Sequence, residues 1–312
     1  MVTSATLSVV VPVYNSEQSL PLLAERLEPA LRALGGAFEL ILVNDSSRDG
    51  SWAVIQDLAR KLPWVRGITL MRNYGQHNAI LCGIRAARHE LIVTMDDDLQ
   101  NPPEEIGKLL AALDDQTDVV YGTPEAEQHG LLRDLASRIT KLALQSAMGA
   151  STARKVSAFR LFRTKLREAF ANYSSSYVSI DVLLTWATTR LVAVQVRHDP
   201  RTLGKSNYTF GKLVRHALNM MTGFSAVPLR LATFLGFGFS LFGALVLVYV
   251  VGRYLISGST VAGFAFLASI IAIFSGVQLF ALGIIGEYLA RMHFRMMDRP
   301  AYAVRSETEQ RS

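Results

Sequence analysis

Residues 7–13 (LSVVVPV) form an unbroken apolar, β-branched run, the pattern of a strand buried on both faces. Apolar positions then recur at helical spacing across residues 17–34 and stop at Gly35-Gly36. FELILV (38–43) predicts a second strand, followed by a helix from about Gly50, a strand at GITL (67–70), a helix from about Gly75 and a strand at ELIVTM (90–95). Pro102-Pro103 opens a further helix, because the first helical turn tolerates proline, and residues 118–121 supply another strand. Repeated strand–helix units imply a parallel doubly wound sheet, in which ligands bind beyond the carboxyl ends of the strands. Three polar clusters fall at such ends: Tyr14-Asn15-Ser16, Asn44-Asp45-Ser46-Ser47 and Asp96-Asp97-Asp98-Leu99-Gln100.

The pattern changes near the C-terminus. Residues 231–252 carry no charge, and these 22 residues make about 33 Å of helix at roughly 1.5 Å per residue, enough for a bilayer core. A second uncharged run covers 255–286, with SGSTVAG (257–263) as a tight loop and 264–286 as the second span. Arg230 precedes the first span and Arg291, Arg295 and Arg299 follow the second, whereas the connecting loop holds only Arg253. By the positive-inside tendency both termini are expected in the cytoplasm. Residues 6–13 are too short, and lack the basic lead, for a signal peptide, so residues 1–200 are expected there too.

Upstream, Phe210, Leu213, Val214, Ala217, Leu218, Met221 and Phe224 oppose Lys212, Arg215, His216 and Asn219. That pattern predicts an amphipathic helix, lying in the membrane interface or packed on the globular domain. Residues 131–148, with Arg133, Arg138 and Lys141, read similarly. The expected organisation is a globular domain (1–205), a juxtamembrane helix (206–228), a two-helix hairpin (229–290) and a cytoplasmic tail (291–312).

Composition narrows the classes. With 50% hydrophobic and 19% charged residues the 312-residue chain is not disordered, and its single cysteine excludes an internal disulfide framework. The net charge of +6 is uneven: residues 1–125 carry 17 acidic and 10 basic groups, and residues 126–312 carry 9 and 22. Basic groups beside apolar segments point to an anionic membrane surface or a lipid phosphate. No nucleic-acid-binding module is recognisable, and both GxGxxG and the P-loop are missing from the first half. Asp96, Asp98 and Gln100 lie two apart, so an extended segment would aim all three the same way. Hard oxygen ligands suit Mg²⁺ or Mn²⁺, which often bridges carboxylates to a diphosphate; a helix cap is the plainer reading of such a cluster.

VPVYNS (11–16), VNDSSRDGS (43–51), RNYGQHNAI (72–80), MDDDLQNPPEEI (95–106) and the terminal spans, in this order, resemble the family 2 glycosyltransferases that load a sugar onto a polyprenyl phosphate. The resemblance covers residues 6–300 and implies a GT-A type doubly wound mixed sheet, followed by an interfacial amphipathic helix and two transmembrane helices. It implies a nucleotide-sugar donor, an undecaprenyl or related polyprenyl phosphate acceptor, a bacterial inner membrane location and a homo-oligomer such as a tetramer. Carried over by position, Pro12, Tyr14 and Asp45 hold the nucleotide, with Asp97 alongside, and Asp96, Asp98 and Gln100 form the metal site. Arg133 and Ser137 contact the lipid phosphate. RTLGKSNY (201–208) matches the loop that closes over the donor, placing Arg201, Gly204 and Ser206.

There are departures. Thr123-Pro124-Glu125 stands where an arginine usually follows the strand. Asn207 occupies the loop's lysine position, with Lys205 nearby as its substitute, and Ser46 stands where glycine is commoner. Ala158 stands where some members carry an aspartate proposed as a base. A phosphate monoester is largely dianionic at neutral pH and does not require a base; if one exists, Asp181 is the candidate, since inverting relatives place an acid in this region. Asp98, Asp181, Arg133 and Arg201 are therefore the expected catalytic set, with the cationic groups neutralising charge during transfer. His77 is assigned no catalytic role. Two other readings are a processive polysaccharide synthase, disfavoured because no QxxRW motif is present, and an inactive membrane-anchored nucleotide-sugar binder.

Overall fold

The computed structural model describes residues 5–124, 156–175, 178–200, 226–257, 264–297 and 299–308. Its first half alternates as the pattern predicts: β1 (Leu7–Val13), α1 (Ser19–Ala33), β2 (Phe38–Asn44), α2 (Ser51–Lys61), β3 (Val65–Leu70), α3 (Gln76–Ala86) and β4 (Leu91–Thr94). A 3-10 turn (Pro103–Glu105) runs into α4 (Ile106–Ala111), then β5 (Val119–Pro124). Next come β6 (Arg160–Arg163), a 3-10 segment (Thr164–Phe170), α5 (Ile180–Ala187) and β7 (Leu191–Val196). Two long helices, α6 (Val227–Ser257) and α7 (Phe264–Met296), precede β8 (Val304–Glu307).

The sheet order is β7-β5-β6-β4-β1-β2-β3-β8. Strands β1 to β4 are mutually parallel and β5 is parallel to β7. The expectation of a wholly parallel sheet fails at two places. β6 is antiparallel to both β4 and β5, and β8 is antiparallel to β3. The sheet is mixed, as the family resemblance implies.

Every residue of β1 is buried, because alternate side chains enter different cores. Val10 joins Ile41, Val43, Ile80 and Ile84 on the α3 side. Val9 and Val11 join Leu20, Leu23, Leu27, Ile55 and Leu109 on the other. Close approach of α3 depends on Gly83, where a Cβ would lie 2.3 Å from Val10 Cγ1 and 3.2 Å from Val43 Cγ2. Gly83→Ala is therefore expected to cost roughly 1–3 kcal/mol through overpacking, read as a lower denaturation midpoint. An unchanged midpoint would show that α3 can shift outward freely.

The segment after α7, expected as a tail, supplies one of the sheet's two edge strands. Met71 N donates to Ala303 O, and Thr308 N to Gly67 O (both 2.9 Å). Ala301 is buried against the α3-side core. Cys82 lies in that core, where burial pushes its thiol up to about 12, so it behaves as a packed apolar group.

α6 and α7 are long and apolar enough to cross a membrane: the most apolar 18 residues within Val227–Ile256 have a mean hydropathy of 2.3, and those within Ile273–Met296 one of 1.6. Both helices extend beyond the uncharged runs. Phe239 and Phe274 meet edge to face at 5.6 Å.

Candidate active site

The three polar clusters lie at the carboxyl ends of β1, β2 and β4, as expected of this class of sheet. Each contains one of the non-glycine residues with left-handed backbone found among the described residues: Asn15 (φ 56°), Ser46 (φ 55°) and Leu99 (φ 60°). That conformation costs an L-residue roughly 1–2 kcal/mol, and such strain concentrates at functional sites. It also explains why glycine is the commoner residue at position 46.

The first two clusters interlock through side chains on backbone amides. Asn15 Oδ1 accepts from Arg48 N (2.8 Å), and Ser51 Oγ accepts from Ser16 N (2.8 Å). Glu17 Oε2 accepts from Gly50 N (2.7 Å). Asp45, expected at the nucleotide, is 3% exposed, and its two oxygens accept from Tyr74 N and Gly75 N (both 2.7 Å). Burial pushes its carboxyl above the usual range, against those two donors, which favour the charged form. Asp45 thus clasps the loop entering α3, where Gly75 (φ 95°) takes a conformation that favours glycine. From that helix start, Gln76 Nε2 donates to Asp96 Oδ1 (2.7 Å), and His77 Nδ1 accepts from Ile180 N (3.4 Å).

The acidic cluster departs from expectation. Residues 97–100 form a turn and bend after β4. Asp98 Oδ1 accepts from Gln100 N (3.2 Å), and Gln100 Nε2 lies 3.3 Å from His198 Nε2. The period-two argument needed extended backbone, which this turn does not supply. Asp96, Asp97 and Asp98 line one cavity, and Gln100 is not part of its wall.

Asp181 lines that cavity as well, but is 6% exposed and ion-paired with Arg160. Tyr121 Oη donates to it (3.3 Å). Arg160 is 1% exposed, and its Nε donates to Thr94 Oγ1 (2.9 Å). The Asp181 carboxylate is already engaged as the counter-charge of that buried guanidinium, a structural role that competes with service as a base. Thr94 Oγ1 in turn donates to Ala158 O (3.0 Å). The sequence reading missed Gln76 and Arg160. A polar residue right after a helix-starting glycine was the available signal for Gln76. Arg160 offered none, since arginine is almost never fully buried unless paired.

The cavity has a volume of about 1030 Å³, room for a nucleotide sugar, and Pro12, Tyr14 and Asp45 also line it. Its described wall holds seven carboxylates (Glu17, Asp45, Asp49, Asp96, Asp97, Asp98, Asp181) and one arginine, already paired. Among the described residues no three His, Cys, Asp or Glu side chains form a ready-made metal cage. Arg133, Ser137, Arg201, Gly204, Lys205, Ser206 and nearly all of the expected amphipathic helix lie outside the described residues.

Comparison with known proteins adds independent support. The undecaprenyl-phosphate 4-deoxy-4-formamido-L-arabinose transferase of Pseudomonas paraeruginosa is 36% identical over 300 residues, covering 95% of this chain and 88% of that protein. Its counterpart in Pseudomonas aeruginosa strain LESB58 is 37% identical with the same coverage. That of Photorhabdus laumondii is 36% identical, covering 95% and 92%. Among solved structures, glucosyl-3-phosphoglycerate synthase from Mycobacterium tuberculosis, in complex with Mn²⁺, UDP and phosphoglyceric acid, shares the fold. It has a TM-score of 0.51 and 17% identity, covering 70% of this chain and 76% of that one. The family model for glycosyl transferase family 2 matches residues 8–170, from β1 to the end of the 3-10 segment after β6. With that match over more than half its length, and relatives this similar end to end, the chain belongs to glycosyl transferase family 2 and is a glycosyltransferase.

Proposed function

We propose that this enzyme moves a sugar from a nucleotide-sugar donor to a polyprenyl phosphate, of which undecaprenyl phosphate is the type, with inversion at the anomeric carbon. The observation that carries this reading is one chain joining an acid-lined nucleotide-sized cavity to two helices long enough to cross a membrane. The relatives named for undecaprenyl phosphate support that acceptor. Arg230, Arg291, Arg295 and Arg299 flank the uncharged spans of these helices, which favours a cytoplasmic catalytic domain.

The wall's charge supports a divalent cation, because a diphosphate would otherwise face mainly carboxylates. Asp96 and Asp98 fit Mg²⁺ or Mn²⁺, which needs only one or two protein carboxylates when substrate phosphates complete its shell. Gln100 would join them only by turning from His198. Bound there, the ion supplies Lewis-acid stabilisation of the departing diphosphate. Tyr14, Pro12 and the loop clasped by Asp45 shape the nucleotide's seat. Arg133, Ser137, Arg201, Gly204, Lys205 and Ser206 are proposed to hold the lipid phosphate and close over the donor. A phosphate oxygen attacks the anomeric carbon, the bond to the diphosphate breaks, and the nucleoside diphosphate leaves. The acceptor dianion needs no proton removed, so Ala158 is compatible with turnover.

The test is a screen of UDP-, GDP- and dTDP-sugars, radiolabelled in the sugar, against undecaprenyl phosphate. Label in organic-extractable lipid is the expected result. Binding of a nucleotide sugar without transfer would favour the inactive binder, and labelled polymer would favour the synthase.

A further inference from the structure

We propose that Gln76 is a positioning residue that orients the carboxylate of Asp96 for a divalent cation. This rests on the reading of the acidic turn as the cation's site. Three observations converge on it. Gln76 is the first residue of α3, and the amide of Gly75 just before it is held by Asp45 Oδ2 at 2.7 Å, so the side chain starts from a fixed point. Its Nε2 donates to Asp96 Oδ1 at 2.7 Å. Both side chains line the same cavity, beside Asp97 and Asp98.

The choice of amide matters chemically. A carboxylate rotates broadly about its last torsion, and three adjacent aspartates repel one another. A donor on one oxygen of Asp96 selects an orientation. Lysine or arginine there would also do so, but would cancel the charge that attracts a cation. Glutamine donates while leaving that charge intact. Partners of this kind commonly change metal affinity by about 10- to 100-fold when removed.

The experiment uses the full-length protein in detergent and follows free Mn²⁺ by electron paramagnetic resonance, with Mn²⁺ alone and with UDP present. Gln76→Met keeps volume and removes the donor; Asp98→Ala serves as the reference for a lost site. The expected result is Mn²⁺ binding weakened about 10- to 100-fold in Gln76→Met. Saturating Mn²⁺ should restore kcat, with the donor KM at saturating metal unchanged. Gln76 is exposed, so the thermal midpoint should not move. Mn²⁺ affinity within about twofold of wild type in Gln76→Met, while Asp98→Ala loses the ion, would overturn the proposal and leave the metal site standing. A raised donor KM with intact Mn²⁺ binding would overturn it in favour of direct contact with the donor. Unchanged binding in both variants would overturn the metal site itself, and this proposal with it.

Discussion

Asp98→Ala, or chelation by EDTA, is expected to abolish sugar transfer while the folded domain keeps its thermal midpoint. Asp98 lies in the turn after β4, outside both cores, and lines the cavity. Its removal therefore acts on the leaving diphosphate rather than on packing. Lewis-acid stabilisation is worth several kcal/mol, and about 4 kcal/mol corresponds to roughly a thousandfold in rate. The assay is transfer of labelled sugar to extractable lipid, beside a melting curve. Full activity in metal-free buffer would falsify the assignment of Asp96, Asp98 and Gln100.

Asp181→Asn is expected to damage stability far more than chemistry. Arg160 is one of the largest fully buried side chains, and Asp181 is its counter-charge. Breaking a buried pair from one side costs about 3–5 kcal/mol, because an uncompensated charge stays inside. For a domain of about 200 residues that lowers the melting midpoint by roughly 6–20 °C. Replacing both partners with apolar residues, as in Arg160→Met with Asp181→Leu, should recover most of the loss. Per folded molecule, Asp181→Asn should reduce kcat less than about tenfold, equivalent to roughly 1.4 kcal/mol of barrier. The pH profile of kcat should rise with one apparent pKa of about 6, that of the acceptor phosphate, and then flatten. A fall of about 10²–10⁴ in kcat, with stability retained, would instead make Asp181 the general base.

Much of this was legible before any coordinates. The β1, β2, β3 and β4 runs are apolar and β-branched because both faces are buried, and such runs announce themselves locally. The same holds for α6 and α7, whose length and lack of charge are properties of consecutive residues. Placing Asp45 and Asp96 to Asp98 at strand ends followed from those runs alone, and the motif order sufficed for the family.

What tertiary structure decided was everything that depends on partners distant in sequence. β6 reads as RLFR, and its inward Arg160 hides a buried strand until Asp181, 21 residues later, supplies the counter-charge. β8 is exposed and mostly polar, and its place is set by backbone hydrogen bonds to β3, by contacts such as Gly67 N to Thr308 Oγ1 and Arg305 to Met71 O, and by the burial of Ala301 just before it, all with partners far away in sequence. The left-handed Leu99 bends the acidic run, turning a period-two prediction into a loop whose three aspartates share one wall while Gln100 faces His198. Gln76 and Asp96 are 20 residues apart and meet only because α3 crosses back over β1 and carries its first turn to the end of β4. Local hydrophobic period determines which segments become strands and helices; the pairing of charges and amides across the sheet's edge emerges only when those segments share one core.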